Sequence, residues 1–567
     1  MSGLPVSPFD ADRLIGSVVE CSPTSLRINL PLASKIEGMT LHGARIGAGE
    51  VGEFVCIETQ QHAILGRINQ IKLPDRERLS VEPHMGKPPQ SHPLGLVQLL
   101  CSMSLSSGEV STGISSFPRI GASVFSAHPD LLCKIAEFAK ADDEDVLALS
   151  IATLARDDKT PVKLTPEKLF GRHAAILGAT GGGKSWTIAR IIESLAKSNA
   201  KVILIDATGE YHTARNGVRH LHLGADQPPL SSEEVVLPYQ AMSIHDLFAM
   251  FRPSGQSQAP KLRAAMKTLK LLKLENSLAV NGLFVKANQS KSLFNAAYVK
   301  HIVAVDADEA DFDINKLPQQ IEHECIALNN SGNWGNVNGN EQSYCSSLIA
   351  RIASMVSAPE FACIFKPGAK KSLFAAMAEF FADKDNRVLR VSLRDVAFAS
   401  NAREIVANTI GKHLLTAART GCFQAKPVVV ILDEAHNFIN KSIGDEFSRH
   451  YLDSYELIAR EGRKFCLNLC LATQRPRDLP EAVLSQMGTM IVHRLTNNND
   501  RELVEKASGD IDRSAAGFLP TLAPGEAILV GTDFAFPVSV KIIPPVSPPD
   551  SRGPNYQKLW AASSTIT

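Results

Sequence analysis

The spacing of apolar and polar positions changes period along this chain and divides it into parts. Between residues 14 and 71, short apolar runs (LIGSVVE, SLRINL, GEFVCIET, AILGRINQI) are separated by turn-forming residues, with TQQH as a hairpin tip. Runs of that length punctuated by turns predict antiparallel strands. A proline-rich break at HMGKPPQSHP follows. Strand-like segments then resume at GLVQLLCSMSL and run towards residue 155. Repeated short strands of this kind predict a small β-barrel over residues 1–155. ARDDKTPVKLTP reads as the linker out of it.

From residue 171 strands alternate with helices. AAILG predicts a strand, SWTIARIIESLAKS a helix with Ile188, Ile191, Ile192 and Leu195 at helical spacing, and KVILIDAT the next strand. Between about 240 and 380 the alternation stops and the pattern is helical, through LFAMFRP, APKLRAAMKTLKLLKLENS, SLFNAAYVKHIVAV and EQSYCSSLIARIASMVS. It resumes with strand RVLRVSLRDV, helix NAREIVANTIGKHLLTAART, strand PVVVILDE, helix EFSRHYLDSYELIAREGRK, strand CLNLCLATQ, a short helix after Pro480 and strand GTMIVHRLT. Strands joined through helices imply a parallel sheet with crossovers. The prediction is an α/β core in two parts, 156–240 and 381–543, interrupted by a helical insertion at 241–380. PGEAILVG and FPVSVKIIPP read as a closing antiparallel hairpin, and the proline-rich tail 544–567 as an extended arm.

Charge excludes a simple nucleic-acid signature: Lys+Arg and Asp+Glu are 59 each, so any basic surface is local. Two local clusters stand out. KLRAAMKTLKLLK carries Lys261, Arg263, Lys267, Lys270 and Lys273, and FKPGAKKS carries Lys366, Lys370 and Lys371. Each is either a solvated surface or a contact to backbone phosphates. Ten cysteines show no C-x-x-C. Cys466 and Cys470 read as packing on one face of a buried strand, which fits a reducing compartment. The longest aliphatic run, VVVIL, is far too short for a bilayer. The start, MSGLPVSPFDADR, lacks the order of a secretory signal. The expectation is a cytoplasmic protein with no membrane partner.

GATGGGKS, residues 178–185, fits G-x-x-x-x-G-K-[ST]. Chance supplies that pattern in a chain this long about 2% of the time, and the strand before it and helix after it lower the figure further. That order aims the backbone N–H groups of the loop and helix N-terminus at phosphate oxygens. Lys184 reaches the β/γ-phosphates and Ser185 ligates Mg²⁺. VVVILDEAHNF ends a strand in Asp433 and Glu434, at the edge where open α/β sheets bind ligands. Asp433 would help hold Mg²⁺, and Glu434 would polarise the attacking water. Beside them His436 is either a local turn residue or a catalytic one. In ATQ, Gln474 ends another strand and either orients water or forms a turn. IDATGEY places Asp206 and Glu210 on the same rim, either near the metal and nucleotide or as loop caps. In AREGRK, Arg460 and Arg463 share a helical face three residues apart, as solvated charges or as a cation offered to a neighbouring subunit.

GATGGGKS, IDATGEY, LDEAHNF, AREGRK and ATQRPRDLPEAVLSQMGTMIVHRLTNNND, together with the barrel-like start, resemble the HerA family, ATPases of the HerA/FtsK group in bacteria and archaea. The resemblance spans nearly the whole chain from about residue 12. It implies an α/β fold: a RecA-like P-loop ATPase core with a helical insertion, preceded by a small N-terminal β-barrel. It also implies a homohexameric ring with ATP and Mg²⁺ between neighbours and double-stranded DNA in the pore. On that pattern Lys184, Ser185, Asp433, Glu434 and Gln474 act in cis, Arg172 matches an arginine near the phosphates, and Arg463 or Arg460 acts in trans. The nucleotide-contacting set is Gly178, Ala179, Thr180, Gly181, Gly182, Gly183, Lys184, Ser185 and Trp186, with Asp206 and Glu210. The chain departs from the family in IDATGEY, where proline-histidine is common, and in RPRDLP, where a serine is usual. The resemblance carries two functional readings. One is a motor translocating on duplex DNA beside a partner nuclease. The other is a ring scaffold for an effector, a nuclease or a sirtuin-type NAD hydrolase, docked on the barrel face in anti-phage defence.

Overall fold

The structure is a computed structural model describing residues 4–31, 33, 39–41, 44–46, 49–73, 92–136, 146–224, 231–329, 332–439, 441–443, 449–508, 513–551 and 555–561. Most of the proline-rich break and the start of the segment read as helix EFSRHY lie outside these residues. The chain falls into two compact units, residues 1–187 with 487–543 and residues 188–486 with 544–567.

In the first unit, six antiparallel strands close a barrel. Their order is Ser25–Asn29, Leu14–Cys21, Ser123–Ser126, Phe54–Glu58, His62–Lys72 and Leu94–Ser104, and the last pairs back with the first. Closure leaves no unpaired strand edge. The interior is filled by Ile15, Val18, Leu26, Ile28, Val55, Ile57, Ile64, Ile68, Val97 and Val124. The same unit holds a mixed sheet in the order Asp157–Leu164, Leu149–Leu154, Val538–Ile542, Glu526–Gly531, Met487–His493 and His173–Leu177. All its pairings are antiparallel except the last. Two sequence readings change here. DDKTPVKL is a strand, not a linker, because alternate Val162 and Leu164 are buried against the sheet while polar residues between them face out. Strand Leu149–Leu154 pairs in this sheet, so the barrel ends at Ser126. An edge-to-face contact of Phe54 on Phe536 (5.2 Å) and the Arg67 guanidinium over the Phe518 ring (4.9 Å) fasten barrel to sheet.

In the second unit, six parallel strands run in the order Leu467–Thr473, Val428–Leu432, Lys201–Asp206, Val388–Ser392, Val218–His222 and Glu233–Glu234. Strand Lys201–Asp206 is buried at every position. Burial on both faces explains why it reads as a continuous apolar run and not as alternation. Helix Ala402–Arg419 carries the chain from strand Val388–Ser392 to strand Val428–Leu432. Helices Ile244–Phe251, Gln258–Leu274, Lys291–Lys300, Leu317–Glu324, Gly339–Ser357 and Leu373–Ala382 fill the stretch between the strands. No single described helix is long and apolar enough to cross a membrane.

Three local readings are corrected. The segment around AREGRK is helical only over Ser454–Glu461, and a short hairpin, Lys441–Ile443 with His450–Leu452, precedes it. Cys466 lies before its strand in a left-handed conformation (φ +58°) and shares no strand face with Cys470. The C-terminal arm is pinned over residues 546–550. The backbone N–H groups of Val546 and Ser547 donate to the Glu193 carboxylate, the Thr213 hydroxyl donates to Pro548 O, and Asp550 N–H donates to Glu210 O. Further along it carries helix Tyr556–Ala561.

Lys201 fixes where the helical stretch rejoins the sheet. Its buried ammonium donates to the carbonyls of Phe380 (2.7 Å), Asp383 (2.7 Å) and Asn386 (2.8 Å), using all three of its protons, and lies over the Phe380 ring. Lys201→Met should therefore cost about 3 kcal/mol, because three carbonyls lose a charged donor. Hydrogen exchange of the amides in strands 201–206 and 388–392 should quicken by the matching factor, and unchanged protection would refute the assignment.

Candidate functional site

Each unit contributes one group of chemical side chains, and each group sits where strands stop. In the first unit, strand His173–Leu177 is wholly buried and runs into Gly178. Gly181 and Gly183 take positive φ (+75° and +120°), which an L side chain rarely adopts. The glycines also answer to what lies beneath them. A Cβ on Gly178 would sit 2.5 Å from His493 Cβ, and one on Gly183 would sit 3.1 Å from His493 Cε1 and 3.2 Å from the Gly525 backbone. The loop is sewn to this floor by Ala179 N–H to Arg494 O (2.9 Å) and Gly525 N–H to Gly182 O (3.2 Å). Lys184 opens helix Lys184–Leu195 and is buried. Ser185 and Trp186 follow it, half-buried, in the turn whose N–H groups make a phosphate cradle.

In the second unit, Asp206, Asp433 and the Thr473–Gln474 pair end or follow three neighbouring parallel strands, at one carboxyl-terminal edge. Asp433 is buried, and its carboxylate accepts the Glu434 N–H (2.9 Å). Burial, then the neighbouring carboxylates of Glu434, Asp206 and Glu210, push its pKa well above the usual range. Glu434 is held at φ +48°. The His436 Nδ1 lies 3.3 Å from its Oε2 and 3.2 Å from Thr473 Oγ1. His436 thus ties the acid turn to the strand end that carries half-buried Gln474. A buried carboxylate whose charged form is disfavoured by burial and by neighbouring carboxylates is a fit for a divalent cation. Among the described residues no three or more His, Cys, Asp or Glu side chains form a cage. Mg²⁺ needs none, since it keeps several waters and takes one or two carboxylates with substrate phosphates.

Several expected site residues are placed differently. Asp206 is a turn builder. Its carboxylate accepts Gly209 N–H (2.7 Å), Tyr211 N–H (3.2 Å) and Arg390 Nε (2.6 Å), while Arg390 Nη2 donates to Gly209 O. This buried pair presents Glu210 at the start of turn Glu210–Thr213. Arg172 precedes strand His173–Leu177 and bonds Thr532 (2.6 Å). Five strand residues, about 16 Å, separate it from the phosphate loop of its own chain, so it is not near those phosphates in cis. Arg460, paired with Glu456 (3.8 Å), is in the last turn of its helix, whereas exposed Arg463 is on the 3-10 turn Gly462–Phe465, so they share no helical face.

The members of both basic clusters have partners within the chain. Lys261 pairs with Glu341, Lys267 with Asp306, Lys273 with Asp311, Lys370 with Glu234, and Lys371 with Glu233 and Glu379. Lys270 is buried on Ala307 O, Lys366 caps Ser357 O, and Arg263 lies over the Phe248 ring. Sequence reasoning missed His493, Thr187 and Arg390. The signal for His493 was a polar residue closing the apolar strand GTMIVH.

Two family models match the chain, "Helicase HerA, central domain" over residues 149–329 and "Helicase HerA-like C-terminal" over residues 420–532, together just over half of it. A probable helicase of Methanocaldococcus jannaschii is 25% identical over 456 residues, covering 79% of each chain. The probable DNA double-strand break repair helicase HerA of the same organism is 28% identical over 414 residues, 70% of this chain and 76% of its own. Among solved structures, VirB4 of Thermoanaerobacter pseudethanolicus aligns over 72% of this chain and 98% of its own at 14% identity and a TM-score of 0.40, too slight a likeness to bear on function. The strand–loop–helix with its lysine, the acid edge and the parallel sheet make this a P-loop ATPase, an enzyme that hydrolyses ATP. The chain belongs to the HerA family.

Asp433→Asn should raise the melting temperature at pH 8 in chelator without nucleotide. The folded pKa of Asp433 lies above the unfolded value near 4. The stability that comes from its protonation is therefore complete below about pH 4 and is lost as pH rises through the folded pKa. The variant's gain should shrink as pH is lowered from 8 towards 4, and a gain independent of pH would refute the carboxylate repulsion.

Proposed function

We propose that this chain forms a homohexameric motor that hydrolyses ATP with Mg²⁺ to translocate on double-stranded DNA, working beside a partner nuclease or other effector in the cytoplasm. The observation that carries the reading is the pair of HerA models matched over residues 149–329 and 420–532, with the acid edge intact. In this reading Lys184 neutralises the β/γ-phosphates, and backbone N–H groups of the Gly178–Trp186 segment other than those of Ala179 and Gly182 cradle them. Ser185 and Asp433 are the metal's protein ligands, and bound Mg²⁺ supplies charge neutralisation at the phosphates. Glu434 accepts a proton from the attacking water, oriented by Gln474, while the His436–Thr473 bond holds the acid turn against that strand end. Glu210 is kept near this chemistry by the Asp206–Arg390 pair. A trans arginine speeds phosphoryl transfer by about 10³–10⁵. Arg463, Arg460 and Arg172 are all exposed, and each is a candidate to reach a neighbour.

The internal pairing of both lysine clusters favours a second reading, a ring scaffold that assembles an effector, a nuclease or a sirtuin-type NAD hydrolase, on the barrel face in antiviral defence. DNA stimulation separates the two. The motor requires ATPase activity that rises with duplex DNA of any sequence and DNA binding that weakens steeply with salt. Absence of both selects the scaffold.

Lys184→Ala should abolish ATP hydrolysis, and Glu434→Gln should bind ATP and fail to turn it over. A Glu434→Gln enzyme with normal turnover removes the base assignment. In solution the particle should be a hexamer of about 370 kDa, six copies of the 61.3 kDa chain. Mixing inactive Lys184→Ala subunits with Arg463→Ala subunits should restore part of the activity, since some interfaces regain both groups. A fully active monomer would overturn the ring.

A further inference from the structure

His493 ends strand Met487–His493 directly beneath the phosphate loop, and nothing in the ATPase chemistry above uses it. Its ring is fully buried. Nδ1 lies 2.8 Å from the Glu526 carbonyl oxygen and Nε2 lies 2.8 Å from Thr187 Oγ1. A carbonyl oxygen only accepts, so Nδ1 carries the proton. In the neutral ring Nε2 then accepts from the Thr187 hydroxyl. Burial, reinforced by the Lys184 charge, lowers the imidazolium pKa to about 4, which keeps the ring neutral over the working range. The one ring therefore links three parts of the unit. It bonds strand Glu526–Gly531 through its carbonyl and the first turn of helix Lys184–Leu195 through Thr187, and its Cε1 leaves little room for a side chain at Gly183, as the residue's own Cβ does at Gly178.

We infer that His493 is a positioning residue for the nucleotide, a neutral bridge that holds the phosphate loop and the helix N-terminus in one fixed relation so that their N–H groups meet the phosphates already aligned. The inference rests on the ATPase reading of this loop. The Thr187 hydroxyl lies 3.1 Å from the Gly183 carbonyl as well as 2.8 Å from the ring, and it has one proton to give. With His493 in place the ring takes that proton, and the Gly183 carbonyl is left to the Thr187 N–H (3.0 Å). Without the ring, the hydroxyl turns to Gly183, and the loop loses the ring atom beside Gly183 and the tie through Thr187. Because phosphate contacts exist in bound substrate and transition state alike, their loss appears mainly in KM.

The test uses the full chain, a fluorescent ADP analogue for affinity, and steady-state kcat and KM for ATP. His493→Ala and Thr187→Val should each weaken analogue binding and raise KM about tenfold, with a smaller change in kcat. The double variant should be no worse than the poorer single one, because both delete one bond. His493→Gln, whose amide oxygen can accept from Thr187, should recover most of the affinity. His493→Asn, which reaches only Glu526, should recover less. A purely structural role would lower the melting temperature while the folded fraction binds nucleotide normally, and that result overturns the inference. So do additive losses in the double variant. Should His493→Ala not fold, Thr187→Val and His493→Gln give the same reading. Lys184→Ala serves as the separate arm. If it retains full ATPase activity, the reading of the loop fails. If it is inactive while the His493 and Thr187 variants bind as wild type, only the role of His493 fails.

Discussion

Burial of the core strands on both faces is the constraint from which the chemistry of this protein follows. Strands His173–Leu177, Lys201–Asp206, Val388–Ser392 and Met487–His493 have no position that reaches solvent. A buried polar group without a partner is costly, so reactive side chains are confined to strand ends. The phosphate loop, the Asp433–Glu434 turn, the Thr473–Gln474 end and His493 all obey this rule. The glycines of the loop obey its corollary. A chain leaving a buried strand must pass over the neighbouring strand end, and at Gly178 no room for a Cβ remains.

The same confinement makes the acid edge a place of unresolved electrostatics. Asp206 is satisfied by Arg390 and two backbone N–H groups, and breaking such a buried pair costs about 3–5 kcal/mol. Asp433 receives one backbone N–H from Glu434 and faces three carboxylates. The molecule thus spends its buried cation on shaping the turn and leaves the negative charge beside it uncompensated. Stability is given up at the position where a cation is needed, the usual relation between active-site function and folding.

The helical stretch solves a different problem. Its lysines are intermingled with acids that fold back onto them, as in the buried Lys286–Glu324 pair (2.6 Å), which Thr268 and Gln320 complete. These charges hold helices together, in keeping with a chain whose formal charges cancel.

The sequence by itself determined the class of the protein. The period change at residue 171, the continuous apolar runs and the position of GATGGGKS between a strand and a helix are local facts, and local facts suffice for a parallel sheet with a phosphate loop. The barrel was legible as repeated short strands, although which strand closed it was not. Strand Asp157–Leu164 was missed because on a sheet edge only alternate residues are buried, and the polar ones between masked the pattern. Tertiary structure alone decided what each charge does. Lys267 and Asp306, Asp206 and Arg390, and Thr187 and His493 meet across 39, 184 and 306 residues. A lysine that will meet a carboxylate and one that will meet solvent look alike in a sequence, because pairing depends on distance in space and periodicity reports only distance along the chain.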